Sequence, residues 1–202
     1  MKETLIIFSR YPEPGKTKTR MIPALGAVGA ADLQRQMTEH TLKTAIALSE
    51  SREVAIEVYF AGGNLELMRE WLGTGEYVPQ AEGDLGEKMK SAFEKAFVAG
   101  RERVVIIGID CPDLDRQILT QAFATLKHQD LVLGTAADGG YYLIGLNRPV
   151  TELFEGITWG TERVLAQTQD IAARLGLNVG YLATLSDVDR PEDLPIWQKY
   201  LT

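Results

Sequence analysis

The chain has very little cysteine and no long hydrophobic run, and both absences exclude classes of protein. Its single cysteine, Cys111, cannot form an internal disulfide and cannot build a zinc site alone. No stretch of about 18 apolar residues is present, which argues against a membrane-spanning helix. Charged residues at positions 2, 3 and 10 bracket only a strand-length apolar segment, so we expect no signal peptide and a cytoplasmic protein.

Positive charge is also scarce, but it is concentrated at the start of the chain. The whole chain has a net charge of −7, whereas residues 1–20 carry five Lys or Arg against two Glu. A generally acidic surface repels nucleic acids and anionic membranes, so we expect the cationic segment to meet one small anion. On charge alone, a solvated basic loop is the commoner explanation of such a run.

Strand and helix patterns alternate along the chain, which favours a three-layer α/β sandwich. With 202 residues, 45% of them hydrophobic, we expect residues 1–202 to form one domain. Strands are predicted over residues 5–8, 54–60, 104–107, 131–133 and 141–146, and helices over 27–49, 84–98, 115–126 and 161–175.

The first strand runs directly into a loop that is punctuated by Pro and Gly and rich in positive charge. Ligands of open α/β sheets bind outside the carboxyl ends of strands, where cationic side chains and free backbone N–H groups suit phosphate oxygens. The segment therefore predicts a nucleotide site. Its cations are Arg10, Lys16, Lys18 and Arg20.

Acidic residues in two later segments are candidates for holding a divalent cation. Asp110 comes just past an apolar strand, and a carboxylate beside phosphates is favourable when Mg²⁺ or Mn²⁺ bridges them. A turn or helix cap explains Asp110 equally well. If the later segment is extended, Asp187 and Asp189 point to one side and Val188 to the other. Asp189 precedes a predicted short C-terminal helix, and its position alone favours a helix cap.

Three other segments have both a structural and a ligand-binding interpretation. Gly139 and Gly140 let a ligand approach the backbone, but with Asp138 they are also an ordinary hairpin signal. Asp84 forms a capping-box pattern, and the same helix start can accept an anion or hydrogen-bond a base. Trp159 offers a stacking or a packing surface, of which packing is the commoner use.

Taken together, these segments resemble a known family. They are Arg10, Pro14–Gly15, Lys18–Arg20, "GDLG" at 83–86, "GID" at 108–110, "DGGYYLIG" at 138–145, "WGT" at 159–161 and "DVDRPEDL" at 187–194. The set spans residues 8–194 and looks like the GT-A-like transferases related to 2-phospholactate guanylyltransferase. The resemblance implies a nucleotide-diphospho-sugar transferase fold with a mixed, mainly parallel sheet and the nucleotide near the exit of the first strand.

Carried over by position, the resemblance implies a role for each matching residue. Nucleotide binding would fall to Arg10, Gly15, Lys16, Lys18, Arg20, Gly83 and Asp84. Mg²⁺ or Mn²⁺ would be held by Asp110 and Asp189, the catalytic residues would be Asp110 and Asp138, and the acceptor would meet Gly139, Gly140 and Trp159. The chain departs from the family pattern at Lys88, where Arg is usual, at Arg190, where Thr is common, and at "DCPD", which is not a true Asp-X-Asp motif.

The implied reaction is metal-assisted transfer from a nucleotide-activated donor to a small-molecule acceptor. In glycosyl transfer the donor is an NDP-sugar, NDP leaves and Asp138 acts as an acceptor-side base. In nucleotidyl transfer the donor is an NTP and pyrophosphate leaves. The family label favours glycosyl transfer, whereas the Lys/Arg-rich, Gly-poor loop favours nucleotidyl transfer. A non-catalytic nucleotide-binding module is the third alternative. The sequence identifies neither the base, the sugar and the acceptor nor the oligomeric state.

Overall fold

Seven strands and six helices alternate along residues 1–201, which the computed structural model describes. The strands are β1 (Glu3–Arg10), β2 (Val54–Ala61), β3 (Glu76–Pro79), β4 (Arg103–Ile107), β5 (Leu131–Ala136), β6 (Tyr141–Leu146) and β7 (Val179–Leu185). The helices are α1 (Ile22–Ser49), α2 (Leu65–Leu72), α3 (Leu85–Val98), α4 (Arg116–Thr125), α5 (Val164–Arg174) and α6 (Leu194–Gln198). None of the helices in residues 1–201 is long and apolar enough to cross a membrane.

The strands form one mixed sheet in the order β3-β2-β1-β4-β6-β5-β7. All neighbours are parallel except β6, which runs antiparallel to both β4 and β5. The prediction of a mixed, mainly parallel sheet is therefore confirmed. From β1 the chain continues to β2 on one side and β4 lies on the other, so the space between the carboxyl ends of β1 and β4 is a topological switch point.

Alternation along β1 supplies both faces of the sheet with core residues. Leu5 and Ile7 pack into one hydrophobic cluster and Ile6 into the other, and all three are fully buried. The first cluster includes residues of α1, α4 and α6, and the second includes residues of α3 and α5. The sheet thus lies between two helical layers, which confirms the predicted sandwich.

The helix predicted over residues 27–49 differs from the observed helix only near its start. The element starts at Ile22, but Gly26 interrupts it with φ 69° and ψ 170°, so regular helix begins one residue later. The helix predicted over 161–175 is shorter at its start, because the residues before Val164 form a turn. The elements α2, β3 and β7 were not predicted from the sequence, and both strands are edges of the sheet.

Candidate active site

A cavity of about 780 Å³ opens at the carboxyl ends of β1 and β4, where the switch point predicts a ligand. Its volume lies within the usual range for small-molecule sites. The predicted site residues that line it are Arg10, Lys16, Lys18, Arg20, Asp110, Asp138, Gly140, Trp159 and Asp189. Gly15, Gly83, Asp84 and Gly139 are not among its lining residues. The cationic loop and the acidic segments therefore meet around one space.

Lys18 reaches across this space to two acceptors. Its Nζ donates to Asp110 Oδ1 at 2.6 Å and to the carbonyl oxygen of Val188, and its side chain is only 4% exposed. Among residues 1–201, Lys18 is the one non-glycine residue with a positive φ, 46°. A left-handed backbone costs such a residue on the order of 1 kcal/mol, so the surrounding contacts must hold Lys18 in place.

The other cations of the cavity differ in whether an acid already neutralises them. Arg20 pairs with Asp189, and Lys16 pairs with Glu13 at 2.7 Å. Within the described chain, Arg10 makes no ion pair, and neither does Lys88, which lines the cavity from α3. Arg10 and Lys88 are thus the cations most available to an anion.

The acidic segment after β7 is joined by its backbone to the end of β4. Val188 N–H donates to the carbonyl oxygen of Asp110 at 2.7 Å, and the Val188 side chain is fully buried. Asp187 and Asp189 both line the cavity, as the alternation predicts. This backbone bond holds the Asp110 and Asp187–Asp189 segments side by side.

The helix-cap interpretation of Asp189 is wrong. Asp193 Oδ2 accepts from the backbone N–H groups of Asp189 at 3.1 Å and Arg190 at 2.8 Å, while the Asp189 carboxylate pairs with Arg20. After β4, the helix cap is Asp115, which accepts from the N–H of Ile118 at 2.8 Å. The carboxylate of Asp189 therefore does not cap a helix, and it faces the cavity.

The half-buried Asp187 and the buried Cys111 both lie near several carboxylates of the cavity wall. Burial raises the pKa of Asp187, and the carboxylates of Asp138, Asp193 and Asp189 raise it further. Burial also raises the pKa of the Cys111 thiol, with Asp110, Asp187 and Asp138 adding to the effect. The raised pKa of Cys111 disfavours the thiolate near neutral pH, and the thiolate is the nucleophilic form of cysteine.

The donors of the cavity fit a divalent cation that is shared with a phosphate ligand. Within residues 1–201, no three His, Cys, Asp or Glu side chains are grouped to hold a metal by themselves. Mg²⁺ commonly uses only one or two carboxylates and takes its other oxygens from phosphates and water. Asp110 and Asp189 are carboxylates of this cavity that could serve in this way, and the oxygens of Asp110 and Val188 accept from the Lys18 ammonium.

The two glycine-containing segments, at 83–86 and 138–140, form a helix start and a turn at the edge of the cavity. Asp84 N–H and Glu87 Oε2, and Glu87 N–H and Asp84 Oδ1, form a capping box with both distances 2.9 Å, so the structural interpretation of Asp84 is confirmed. The turn at Asp138 and Gly140 joins β5 to β6 as a hairpin, with Gly140 N–H donating to Asp138 Oδ1 at 2.9 Å. A Cβ on Gly139 would lie 2.4 Å from the carbonyl oxygen of Glu162, so this position needs glycine.

Trp159 packs as its sequence context predicts, and it also has a surface on the cavity. Its indole packs against the second core cluster and also lines the cavity. A Cβ on Gly86 would lie 2.6 Å from Trp159 Nε1, so the ring rests directly on the first turn of α3. The second glycine of "GDLG" is therefore explained by packing against Trp159, a contact that the sequence analysis did not foresee.

Two glutamines that line the cavity were also missed. Gln34 Nε2 donates to the carbonyl oxygen of Arg10 at 3.1 Å, and Gln80 Nε2 donates to that of Tyr59 at 3.0 Å. These bonds fix the amide groups against the ends of β1 and β2. A lone glutamine carries no motif, so the sequence contains no signal that would have found either one.

The mixed sheet, the switch point and the cavity define a nucleotide-diphospho-sugar transferase fold of the GT-A type. The chain belongs to the family described as "uncharacterized protein conserved in bacteria" (DUF2064), whose model matches residues 41–161. No curated protein matches the chain.

Solved structures place the same fold in other proteins. A candidate nucleotide-diphospho-sugar transferase from Desulfovibrio desulfuricans G20 is 35% identical with a TM-score of 0.91, over 98% of this chain and 87% of that one. The inositol-1-phosphate CTP transferase from T. maritima is 15% identical with a TM-score of 0.61, over 98% and 94% of the two chains. The manganese complex of Rv0371c from Mycobacterium tuberculosis H37Rv is 14% identical with a TM-score of 0.62, over 100% of both. The last two similarities show the fold alone.

Proposed function

We propose that residues 1–202 form one transferase domain that moves a sugar from an NDP-sugar to a small-molecule acceptor. The observation that carries the proposal is the convergence of Lys18 and Arg20 with Asp110 and Asp189 in a single cavity. Such transfer needs cations to hold a diphosphate and oxygen ligands for a divalent ion. The 35% identical Desulfovibrio protein, described as a candidate NDP-sugar transferase, supports sugar as the group transferred.

In the proposed complex the diphosphate of the donor lies against the cationic side of the cavity. Arg10 and Lys88 contact it first, because no carboxylate of the described chain pairs with them. The Arg10 guanidinium can hold two phosphate oxygens at once, whereas the Lys88 ammonium acts as a point charge. Two groups on separate elements then orient the diphosphate across the cavity.

The acidic side of the cavity has two proposed roles. Asp110 and Asp189, with Asp187 beside them, would hold Mg²⁺ or Mn²⁺, which when bound neutralises charge on the leaving diphosphate. Asp138 would take the proton of the acceptor hydroxyl, because it lines the cavity and one of its oxygens is oriented by Gly140 N–H. Gly140 and Trp159 would contact the acceptor.

A second candidate function is nucleotidyl transfer from an NTP, with release of pyrophosphate. The observation that favours it is that the loop after β1 is rich in Lys and Arg and poor in Gly. The concentration of Lys and Arg in the loop after β1 agrees with a triphosphate ligand as well as with a diphosphate.

The leaving group separates the two candidates. The protein is incubated with panels of NDP-sugars and NTPs, with Mn²⁺ or Mg²⁺ and a metabolite extract, and released NDP and pyrophosphate are measured. Release of NDP supports glycosyl transfer and release of pyrophosphate supports nucleotidyl transfer. Nucleotide binding without release of either would identify a non-catalytic module and contradict the proposal.

A further inference from the structure

Two ion pairs inside the cavity join residues that are proposed to bind different ligands. Lys18 pairs with Asp110 and Arg20 pairs with Asp189. In each pair the cation belongs to the phosphate side and the carboxylate to the metal side. The protein without ligands therefore neutralises its metal-binding groups with its own phosphate-binding groups.

We propose that binding of the donor and the divalent cation exchanges these ion pairs. Asp110 and Asp189 turn from Lys18 and Arg20 to the cation, and the ammonium and guanidinium groups turn to the donor phosphates. The inference rests on the proposed function, because it takes from it the presence of both ligands. It adds that Lys18 is an internal competitor for the metal ligand Asp110.

Lys18 is the more important of the two cations because it is enclosed. Its side chain is 4% exposed, whereas that of Arg20 is 62% exposed and can swing into solvent. A divalent cation on Asp110 would be repelled by an ammonium group held 2.6 Å from the same carboxylate. Conversely, an enclosed ammonium that loses its carboxylate without gaining a phosphate is costly.

These two costs predict that each ligand strengthens the binding of the other. The cation removes the carboxylate that holds Lys18, and the phosphate removes the ammonium that blocks Asp110. Coupling between sites typically changes an affinity by about 5- to 150-fold. If Lys18 is instead a permanent support between β4 and the segment after β7, removing it leaves metal binding no tighter.

The test measures binding of Mn²⁺ alone, by electron paramagnetic resonance of the free ion, to full-length protein. We expect Lys18→Met to bind Mn²⁺ at least about fivefold more tightly than wild type, the low end of usual couplings. Lys90→Met is the matched control, because it also removes a lysine ion pair, with Glu155 at 3.6 Å, but does not line the cavity. We expect this control to leave Mn²⁺ affinity unchanged.

An Asp110→Asn variant separates failure of the inference from failure of the proposed function. If Asp110→Asn weakens Mn²⁺ binding while Lys18→Met does not strengthen it, the metal site stands and the exchange is wrong. If Asp110→Asn leaves Mn²⁺ binding unchanged, the proposed metal site and the exchange are both wrong.

A measurement on the wild-type protein keeps the inference testable if Lys18→Met does not fold. Each lysine is acylated by a limiting amine reagent and its rate is read by peptide mapping. We expect Lys18 to react slowly without ligand and faster with Mn²⁺, while Lys90 keeps the same rate. Continued protection of Lys18 at saturating Mn²⁺ would overturn the exchange.

Discussion

The two ends of the sheet both carry ion pairs, but they build them differently. At the amino end, Glu3 of β1 accepts from Arg52 and from Arg103 of β4, and its side chain is 8% exposed. At the carboxyl end, Lys18 is enclosed, but the carboxylate of Asp110 to which it is bound is 49% exposed and lines the cavity. One network is closed to ligands, whereas the other keeps one member accessible.

The comparison shows that the two networks differ in which groups face solvent: the carboxylate is enclosed in one and accessible in the other. Burial raises the pKa of Glu3, but hydrogen bonds from Arg52 and Arg103 outweigh it and lower that pKa overall. The negative charge of Glu3 is therefore compensated inside the fold by these two arginines. Asp110, by contrast, keeps an accessible oxygen that a ligand can use.

The largest effect is expected from Asp110→Asn, which removes the accessible carboxylate of the ion pair at the carboxyl end of the sheet. Loss of one preorganised electrostatic contact to developing charge costs about 10²- to 10³-fold in rate, and Asp110 is proposed to provide such a contact through the cation that it would hold. We therefore expect transfer to fall by that factor in a leaving-group assay while the far-ultraviolet circular dichroism stays native. Asp113→Asn is the control, because Asp113 accepts from Tyr200 and does not line the cavity. An equal loss in both variants would contradict a specific role for Asp110.

The next largest effect is expected from Glu3→Gln, which removes the enclosed carboxylate of the ion-pair network at the amino end of the sheet. Two half-buried arginines lose their counter-charge, which costs about 3 kcal/mol in the free energy of unfolding, as for other enclosed pairs. Urea titration measures this loss, and donor affinity should not change. If Glu3→Gln instead weakens donor binding and leaves the free energy of unfolding unchanged, Glu3 serves binding and not stability, which contradicts this prediction.

The same variant tests how the contribution of Glu3 to the free energy of unfolding depends on pH. Because the pKa of folded Glu3 lies below its ordinary value of 4.5, its contribution to stability is complete above that pH and is lost as the pH falls through the folded value. We expect the stability difference between wild type and Glu3→Gln to be constant near neutral pH and to shrink in acid. A difference that persists in acid would show that Glu3 acts through packing alone.

A smaller effect is expected from Gly86→Ala. This variant tests whether the carboxyl end of the sheet, where the cavity lies, also contains rigid packing. Alanine normally stabilises a helix relative to glycine by about 1 kcal/mol. Here the added Cβ would lie within 2.8 Å of three atoms of the Trp159 ring, so we expect a loss of about 1–3 kcal/mol in the free energy of unfolding. In a Trp159→Ala background the same change should be neutral or stabilising, which a double-mutant cycle by urea titration will show.

The smallest effect is expected from Asp187→Asn, and its sign is opposite. A folded pKa that is raised favours the protonated acid, so ionised Asp187 reduces stability once the pH rises through that value. We expect Asn to stabilise the protein near neutral pH by less than about 1 kcal/mol and to lose this advantage in acid, as read from thermal unfolding. Destabilisation at neutral pH would mean that Asp187 has a favourable partner in the folded protein.

The sequence was sufficient to predict the five central strands of the sheet and the meeting of cationic and acidic residues at their carboxyl ends, because both follow from local patterns and parallel order. Arg10 ends β1, Lys18 lies in the loop after it and Asp110 comes just after β4, and the ends of neighbouring parallel strands share one edge. Pairing within the cavity was not predictable in the same way. That Lys18 meets Asp110, or that Trp159 rests on Gly86, depends on side-chain directions between distant segments.

Other misses have equally physical causes. The strand β7 lies at an edge of the sheet and is mostly exposed, so its residues lack the apolar alternation that reveals a central strand. The cap expected at Asp189 failed because Asp193 takes both neighbouring amides from inside the turn, which position relative to a helix does not reveal.

The positive φ of Lys18 has a consequence for anyone who re-engineers this enzyme fold for robustness. A consensus or computational design aimed only at thermal tolerance would exchange a strained lysine for glycine or asparagine, since both adopt φ 46° at little cost. Such a protein would have lost the positive charge enclosed between β4 and the segment after β7, together with its hydrogen bonds to Asp110 and to the carbonyl oxygen of Val188. Libraries built from this scaffold should therefore keep position 18 constant.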